Sequence, residues 1–294
     1  MFKLDFDERD LRSLRVFCNV AHAGGFAAAE KQLLMSKASI SRHVRQVEVR
    51  LGVRLCERGP GGFKLTPEGA VALDLASNAL RALERIRPEV DAVHGVLSGS
   101  LTIGIGEHTL THPQCKLPEA LRMLRQRAPA VRPEIIVTSF ADLNQALLEQ
   151  RVDIAIRGKY SGDAEFNYLP LYTETHRVYV SGRVNKKECR NLPLVYRAHP
   201  YVERALSSGL YTRGPDAGGL DAIGALVASG YYQGILPTHY GQLLQKRFAL
   251  RLQPNSPSFQ HAGCAVTQAA RPLSHRAGLL LEILKDLHPF DSDV

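Results

Sequence analysis

Eight apolar residues, Ala72, Ala76, Ala79, Leu83, Ile86, Val90, Val93 and Leu97, recur at alternating steps of four and three. A strand repeats every two residues and cannot use that spacing, whereas a helix lays all eight along one seam. Thr66-Pro67-Glu68 opens the helix with a capping hydroxyl, a proline at the first position and an acid in the first turn. The spacing predicts a linker and dimerisation helix over 67–98. Ala79, Leu83, Ile86, Val90 and Val93 would be buried between two chains, and Pro88, which has no N–H for the carbonyl of Glu84, would kink it. The competing reading is a helix packed on its own domain. A chain divided by such a helix carries separate units on either side, and the texture of the sequence differs on the two sides.

On the amino-terminal side, Leu11, Leu14, Phe17 and Ala21 mark a helix that stops at Gly24-Gly25. Phe26 to Arg45 reads as two short helices around a tight turn. Small residues at Ala27, Ala28 and Ala29 permit a close crossing, and Ser36 offers a capping hydroxyl. Ile40, Val44, Val47 and Leu51 form one apolar stripe; Ala38, Arg42 and Arg45 lie opposite, with Lys37 and Ser41 on the flank. A helix with a buried back and a short cationic front suits a DNA major groove. The competing reading is an ordinary solvated charged face. After Gly52, VRLCER and FKLT flank Gly59-Pro60-Gly61-Gly62, a hairpin of the kind called a wing, with Arg58 and Lys64 at its base.

Charge supports the DNA reading. Residues 1–66 hold 12 Lys and Arg against 7 Asp and Glu, while the remaining 228 residues hold 25 against 22. Most of the net charge of +8 therefore sits in under a quarter of the chain. No apolar run is long enough for a membrane span, and MFKLDFDERD is too acidic for a signal peptide. The five cysteines, Cys18, Cys56, Cys115, Cys189 and Cys264, are scattered without a CxxC pair, which fits a reducing cytoplasm.

From Ser100 onward strands alternate with helices. LTIGIG (101–106), EIIVTS (134–139) and VDIAIR (152–157) read as strands, separated by helices over 118–128 and 142–150. That order implies βαβ units and a parallel sheet. A second run has strands near 177–181, 192–197 and 232–236, helices near 218–229 and after Pro237, a strand after Cys264 and a last helix over 276–287. Gly95 and Ser98-Gly99 read as a hinge before the first run. Two such runs suggest two lobes around a cleft.

The first 70 residues, LRSLRVFCNVAHAGGFAAAEKQLLMSKASISRHVRQVEVRLGVRLCERGPGGFKLTPEG above all, resemble the DNA-binding domain of LysR-type transcriptional regulators. The long helix resembles that family's linker helix, and VASGYYQGILP (227–237) resembles a strand approach in its effector-binding domain. The chain departs from the family pattern at Lys37-Ala38, where Gln-Pro is usual, at Cys56, where an aromatic is usual, and at Gly61, where a basic residue is common. The resemblance implies a mixed fold: an N-terminal all-α winged helix-turn-helix over 1–66, the linker helix over 67–98, and a two-lobed α/β domain of the periplasmic-binding-protein type over 99–294. One lobe would take about 99–175 and 263–294, the other about 176–262. It implies a dimer or tetramer that binds double-stranded operator DNA and answers to a small-molecule effector, with RNA polymerase as a further candidate partner, no membrane, no cofactor and no enzymatic activity.

Expected DNA contacts are Ser36, Lys37, Ala38, Ser41, Arg42 and Arg45, with Arg58 and Lys64 from the wing. Ligands in α/β sheets sit beyond the carboxyl ends of the strands. Expected effector contacts are therefore Glu107, His108, Thr109, Thr138, Ser139, Phe140, Arg157, Arg197 and His199. Four of them, Arg157, Arg197, His108 and His199, are cationic or potentially so, and only Glu107 opposes them, which points to an anionic effector such as a carboxylate. His108, His112 and Cys115 are possible zinc ligands, but Pro113 breaks the helix that would align them and no fourth ligand is evident, so no metal is expected. Two other readings stand beside this one. A thiol-based redox regulator of the same architecture needs two cysteines brought together. A solute-binding or enzymatic α/β protein would carry the helix-turn-helix incidentally, yet no nucleophile elbow, phosphate loop or GxGxxG appears.

Overall fold

The computed structural model describes residues 6–59, 62–160, 164–185 and 187–289. The chain forms two compact units, dividing between Val90 and Asp91.

In the first unit, Asp7 and Asp10 form a capping box at the start of α1 (Glu8–His22). α2 (Phe26–Leu33) follows the Gly24-Gly25 turn, and α3 (Lys37–Leu51) starts at Ser36, whose hydroxyl accepts from the Ser39 N–H at 3.3 Å. Gly52 ends α3 at φ 71°, a left-handed position open to glycine at little cost. Ile40, Val44 and Val47 are buried with Phe17, Val20 and Leu55. Leu51 lies in the last turn of α3 and stays exposed, so it is not part of the buried stripe. Of the three expected small residues only Ala29 is buried; Ala27 and Ala28 face solvent.

A polar cluster fixes α3 against α1. The Ser13 hydroxyl lies 2.9 Å from His43 Nδ1 and 3.2 Å from Gln46 Oε1, and Arg50 pairs with the buried Asp10 at 3.2 Å. Strands β1 (Cys56–Gly59) and β2 (Gly62–Leu65) pair antiparallel as the expected hairpin, whose tip Pro60-Gly61 lies outside the described residues.

Helix α4 (Pro67–Val93) begins at Thr66, whose hydroxyl accepts from the Gly69 N–H at 2.9 Å. Gly69 lies so close to the wing that an added Cβ would be 1.9 Å from the Leu55 carbonyl oxygen. The helix continues through Pro88 without interruption. Its early apolar residues, Ala72, Ala76 and Leu80, pack into the winged core, so Ala72 and Ala76 do not belong to a free seam. The first turns of α4 have to cover a small three-helix core, and that takes those positions. From Ala79 the stripe is exposed: Leu83, Ile86 (58 %), Val90 and Val93 (75 %) all face solvent in the single chain.

The second unit is built on one seven-stranded sheet, in the order β10 (Leu250–Leu252), β6 (Phe166–Ser181), β11 (Ser258–Gln268), β5 (Ile154–Lys159), β3 (Ser98–Ile105), β4 (Ala130–Val137), with β9 (Gly234–Pro237) added to β6. Strands β3 (Ser98–Ile105), β4 (Ala130–Val137) and β5 (Ile154–Lys159) are parallel, joined by α5 (Leu117–Arg127) and α6 (Phe140–Leu148). The Ser98-Gly99 pair expected as a hinge is already strand. The parallel expectation fails beyond β5: β11 pairs antiparallel with both β5 and β6, β9 and β10 pair antiparallel with β6, and β6 and β11 pass from one lobe into the other.

The second lobe holds β7 (Leu194–Tyr196), α7 (Pro200–Ser207), β8 (Arg213–Asp216), α8 (Leu220–Ala228), β9 (Gly234–Pro237), α9 (Thr238–Phe248) and β10 (Leu250–Leu252). Helix α10 (His275–Leu287) returns to the first lobe, where it packs with α5, Leu101, Ile103 and Ile154. Tyr179, Val195, Ile223, Leu236 and Tyr240 make a separate core in the second lobe. Two cores linked by two long strands permit the lobes to move as bodies. No described helix is long and apolar enough to cross a membrane.

Candidate functional site

The outer face of α3 displays Lys37, Ala38, Arg42 and Arg45 to solvent, with Ser36 exposed before it and Ser41 half-buried. Among the described residues neither Arg42 nor Arg45 has an acidic partner. Two acids near in sequence that could pair with Arg45 are occupied: Glu48 accepts from the Leu55 N–H at 3.0 Å, and Glu30 accepts from the Lys37 N–H at 3.0 Å. Lys64 is exposed on the hairpin, while the side chain of Arg58 lies outside the described residues.

In the second unit a cavity of about 70 Å³ opens between the lobes. Glu107, Thr109, Thr138, Phe140, Arg157, Arg197 and His199 line it, together with Tyr160, Tyr172, Glu174 and His176. Two expected contacts are elsewhere. Ser139 caps α6, its hydroxyl accepting from the Asp142 N–H at 3.2 Å. His108 takes a left-handed backbone at φ 58° and stacks on Tyr240 at 3.8 Å, with Nε2 3.2 Å from Asp221.

Several contacts cross the cleft. Glu107 pairs with Arg197 at 3.3 Å and accepts the Leu220 N–H at 3.0 Å. Thr111 Oγ1 lies 2.7 Å from His239 Nδ1.

Arg157 is the unusual wall residue. It is 6 % exposed, its Nη1 donates to the Gly158 carbonyl at 2.9 Å, and its guanidinium lies 4.7 Å from the Phe140 ring centroid. Its buried Nε has no partner, and no described acid pairs with it. A buried cation without a counter-charge is costly unless something supplies one. His176 Nδ1 is likewise buried without a partner.

The other polar groups are satisfied among themselves. Glu174 accepts from His239 at 3.0 Å and from His261 at 3.1 Å. Burial works against its charge, yet these two imidazoles hold its carboxyl well below the usual range. Burial pushes His176 down to about 3, overriding the nearby Glu174. Burial, with the adjacent His176 and Arg197, also holds His199 well below the ordinary histidine value. Neutral His199 accepts the Tyr201 N–H on Nδ1 at 3.2 Å, which leaves its Nε2–H for the Tyr160 hydroxyl at 3.0 Å. Burial raises the Tyr160 and Tyr172 hydroxyls far above their usual range, so both stay protonated. The four-cation wall expected from the sequence thus reduces to one cation without a paired acid, on a wall that also carries the ionised Glu174. Arg197 is neutralised by Glu107, His199 is uncharged, and His108 faces away.

Sequence reasoning missed Tyr160, Tyr172, Glu174 and His176. The last three lie on β6, which was legible only from residue 177. No disulfide joins the five cysteines among the described residues, and all but Cys115 are buried. Burial raises the Cys18 and Cys115 thiols and lifts Cys264 to about 11, which disfavours the reactive thiolate. Among the described residues no three His, Cys, Asp or Glu side chains converge as metal ligands. His112 stacks on Tyr172 instead.

Residues 11–70 match the family described as "Bacterial regulatory helix-turn-helix protein, lysR family", and residues 94–289 match the LysR substrate binding domain. The chain is 32% identical over 285 residues to the HTH-type transcriptional activator BauR of Pseudomonas aeruginosa, covering 93% of this chain and 92% of that protein. It is 31% identical over 168 residues to the HTH-type transcriptional regulator CrgA of Neisseria meningitidis serogroup B, 57% of this chain and 54% of that one. The fold resembles the crystal structure of CbnR, a LysR family transcriptional regulator, with a TM-score of 0.66 at 18% identity over 95% of this chain and 99% of that chain. A DNA-bound CbnR structure gives 0.65 at 18% identity over 94% and 99%. With both of its units matched and a relative aligned along nearly its whole length, the chain belongs to the LysR family of DNA-binding transcriptional regulators.

Proposed function

We propose that this regulator reads operator DNA through α3 and answers to a small carboxylate held on Arg157 between the lobes. The observation that carries the effector reading is the buried Arg157 guanidinium with no acidic partner among the described residues. A planar carboxylate matches that group with two parallel hydrogen bonds, and His176 Nδ1 adds a further polar contact. The cavity of about 70 Å³ holds only a compact ligand. Allowing 10–15 Å³ for each water-sized group, that is room for roughly five to seven such groups. Thr109, Thr138, Phe140 and the Arg197–Glu107 pair complete the proposed wall. Ligand binding would alter the closure of the lobes, a two-state element through which it acts on operator binding. The regulator would work in the cytoplasm as a dimer or tetramer assembled through Ala79, Leu83, Ile86, Val90 and Val93. No enzymatic role is proposed. The raised thiols of Cys18, Cys115 and Cys264 give no support to a redox reading.

DNA contacts are assigned to Ser36, Lys37, Ala38, Ser41, Arg42 and Arg45, with Arg58 and Lys64 beside them. Arg42→Ala is expected to weaken operator binding by about 1–3 kcal/mol without changing the circular-dichroism spectrum. Titration of labelled operator at fixed salt measures it. Unchanged affinity would assign DNA to another surface.

For the effector, acetate, propionate and butyrate are expected to raise the melting temperature of the intact chain, and the corresponding neutral amides are not. A ligand at about 100 times its Kd adds about 2.7 kcal/mol to the folded state. Arg157→Gln should remove the carboxylate effect. Stabilisation by the amides alone, or carboxylate binding that survives Arg157→Gln, would reject the assignment.

A further inference from the structure

The pocket carries a second cationic position, and the chain already occupies it. Helix α8 begins at Gly219, which has no side chain to cap the first turn. The free N–H of Leu220 is taken instead by Glu107, a residue of the opposite lobe, at 3.0 Å. The same carboxylate oxygen lies 3.3 Å from the Arg197 guanidinium. The fit is close: a Cβ at position 219 would come within 2.3 Å of the other Glu107 oxygen. A helix amino terminus with an adjacent arginine is a place where an external anion would bind. Here the anion is built in. On the first lobe's wall of the same cavity, buried Arg157 has nothing equivalent.

We propose that Glu107 is the specificity-determining residue of this pocket. Its carboxylate fills the anion position at the amino end of α8, so the pocket takes an effector with one carboxylate and rejects one with two. This rests on the reading that the cavity holds an anionic effector on Arg157. A monocarboxylate places its charge on Arg157 and leaves an apolar or neutral end toward Glu107. A dicarboxylate must bring its second charge against Glu107 in a site partly closed to water, where like charges repel strongly. The same group holds the lobes together through Leu220 and Arg197, so any ligand that displaced it would also lose that tie.

The test is calorimetric titration of the full-length protein with malonamate and with malonate, which match in chain length and heavy-atom count and differ in one negative charge. Wild type is expected to bind malonamate at least about tenfold more tightly than malonate. Glu107→Gln, which removes the charge and keeps the bulk, is expected to gain at least about tenfold in malonate affinity. If Glu107→Gln does not give the wild-type circular-dichroism spectrum, Glu107→Ser takes its place, because its hydroxyl is smaller and uncharged. Equal binding of both acids by wild type, or no malonate gain in a folded variant, overturns the role of Glu107 and leaves the anionic effector standing. Binding of neither acid by wild type or variant overturns both.

Discussion

Ile86→Glu is expected to split the dimer and abolish tight operator binding while leaving the single chain folded. Ile86 is 58 % exposed within its own unit, so the chain does not depend on it for its core. It lies midway along the exposed stripe from Ala79 to Val93, where a second copy of the same helix offers the matching surface. In a two-fold interface each substitution appears twice. A carboxylate buried without a partner costs about 3–5 kcal/mol. Two of them at one seam, together with the lost isoleucine packing, oppose association directly. Each half-site is then bound by one α3 alone, and the affinity that comes from linking two is lost. Light scattering should report half the native mass, with unchanged circular dichroism. A native mass for the variant would place assembly on another surface.

Lowering the pH from 7 to 5 is expected to destabilise the second unit steeply. His176 is buried and held at about 3, so the folded chain keeps it neutral across this range. The unfolded chain protonates the same imidazole near its ordinary value of about 6.5. The stability it supports is fully present above that value and falls as pH drops, continuing down to about 3. One proton bound only by the unfolded state costs about 1.36 kcal/mol per pH unit, so His176 alone removes roughly 2 kcal/mol between pH 6.5 and 5. His199, also held low, adds in the same direction. Glu174 acts later: its depressed carboxyl contributes stability above about 4.3, lost as pH falls through its folded value. Urea midpoints at pH 7, 6 and 5 measure the slope, and His176→Gln should flatten it. An identical slope in that variant would show that other groups carry the acid sensitivity.

What was legible in the sequence is what water patterns. Helix α3 has solvent on one face and Phe17 and Leu55 behind the other, so the four-three spacing of Ile40, Val44 and Val47 is plain. The start of α4 was legible because Thr66, Pro67 and Glu68 each satisfy a different requirement of a helix amino terminus. The first part of strand β6, before residue 177, was not. Thr173, Glu174, Thr175 and His176 sit in the middle of that strand; Glu174 and His176 face a polar pocket, and no apolar alternation survives there. Glu174 and His176 were missed for that reason. The rule that ligands lie beyond strand ends brought Glu107, Arg157 and Arg197 to one cavity, but it gives a position and not a direction. Ser139 turned to cap its own helix, and His108 turned onto Tyr240. Nor did the heptad spacing separate Ala72 and Ala76, which serve the winged core, from Leu83 and Ile86, which lie open.

A carboxylate on Arg157 is expected to change how the regulator holds its operator. Nuclease protection of DNA upstream of this regulator's own gene, with and without saturating butyrate, tests it most directly. Wild type should protect a paired-site footprint whose extent or affinity shifts with butyrate, and Arg157→Gln should give the butyrate-free footprint under both conditions. A footprint that butyrate leaves unchanged while it demonstrably binds, or one that shifts equally in Arg157→Gln, would contradict the account.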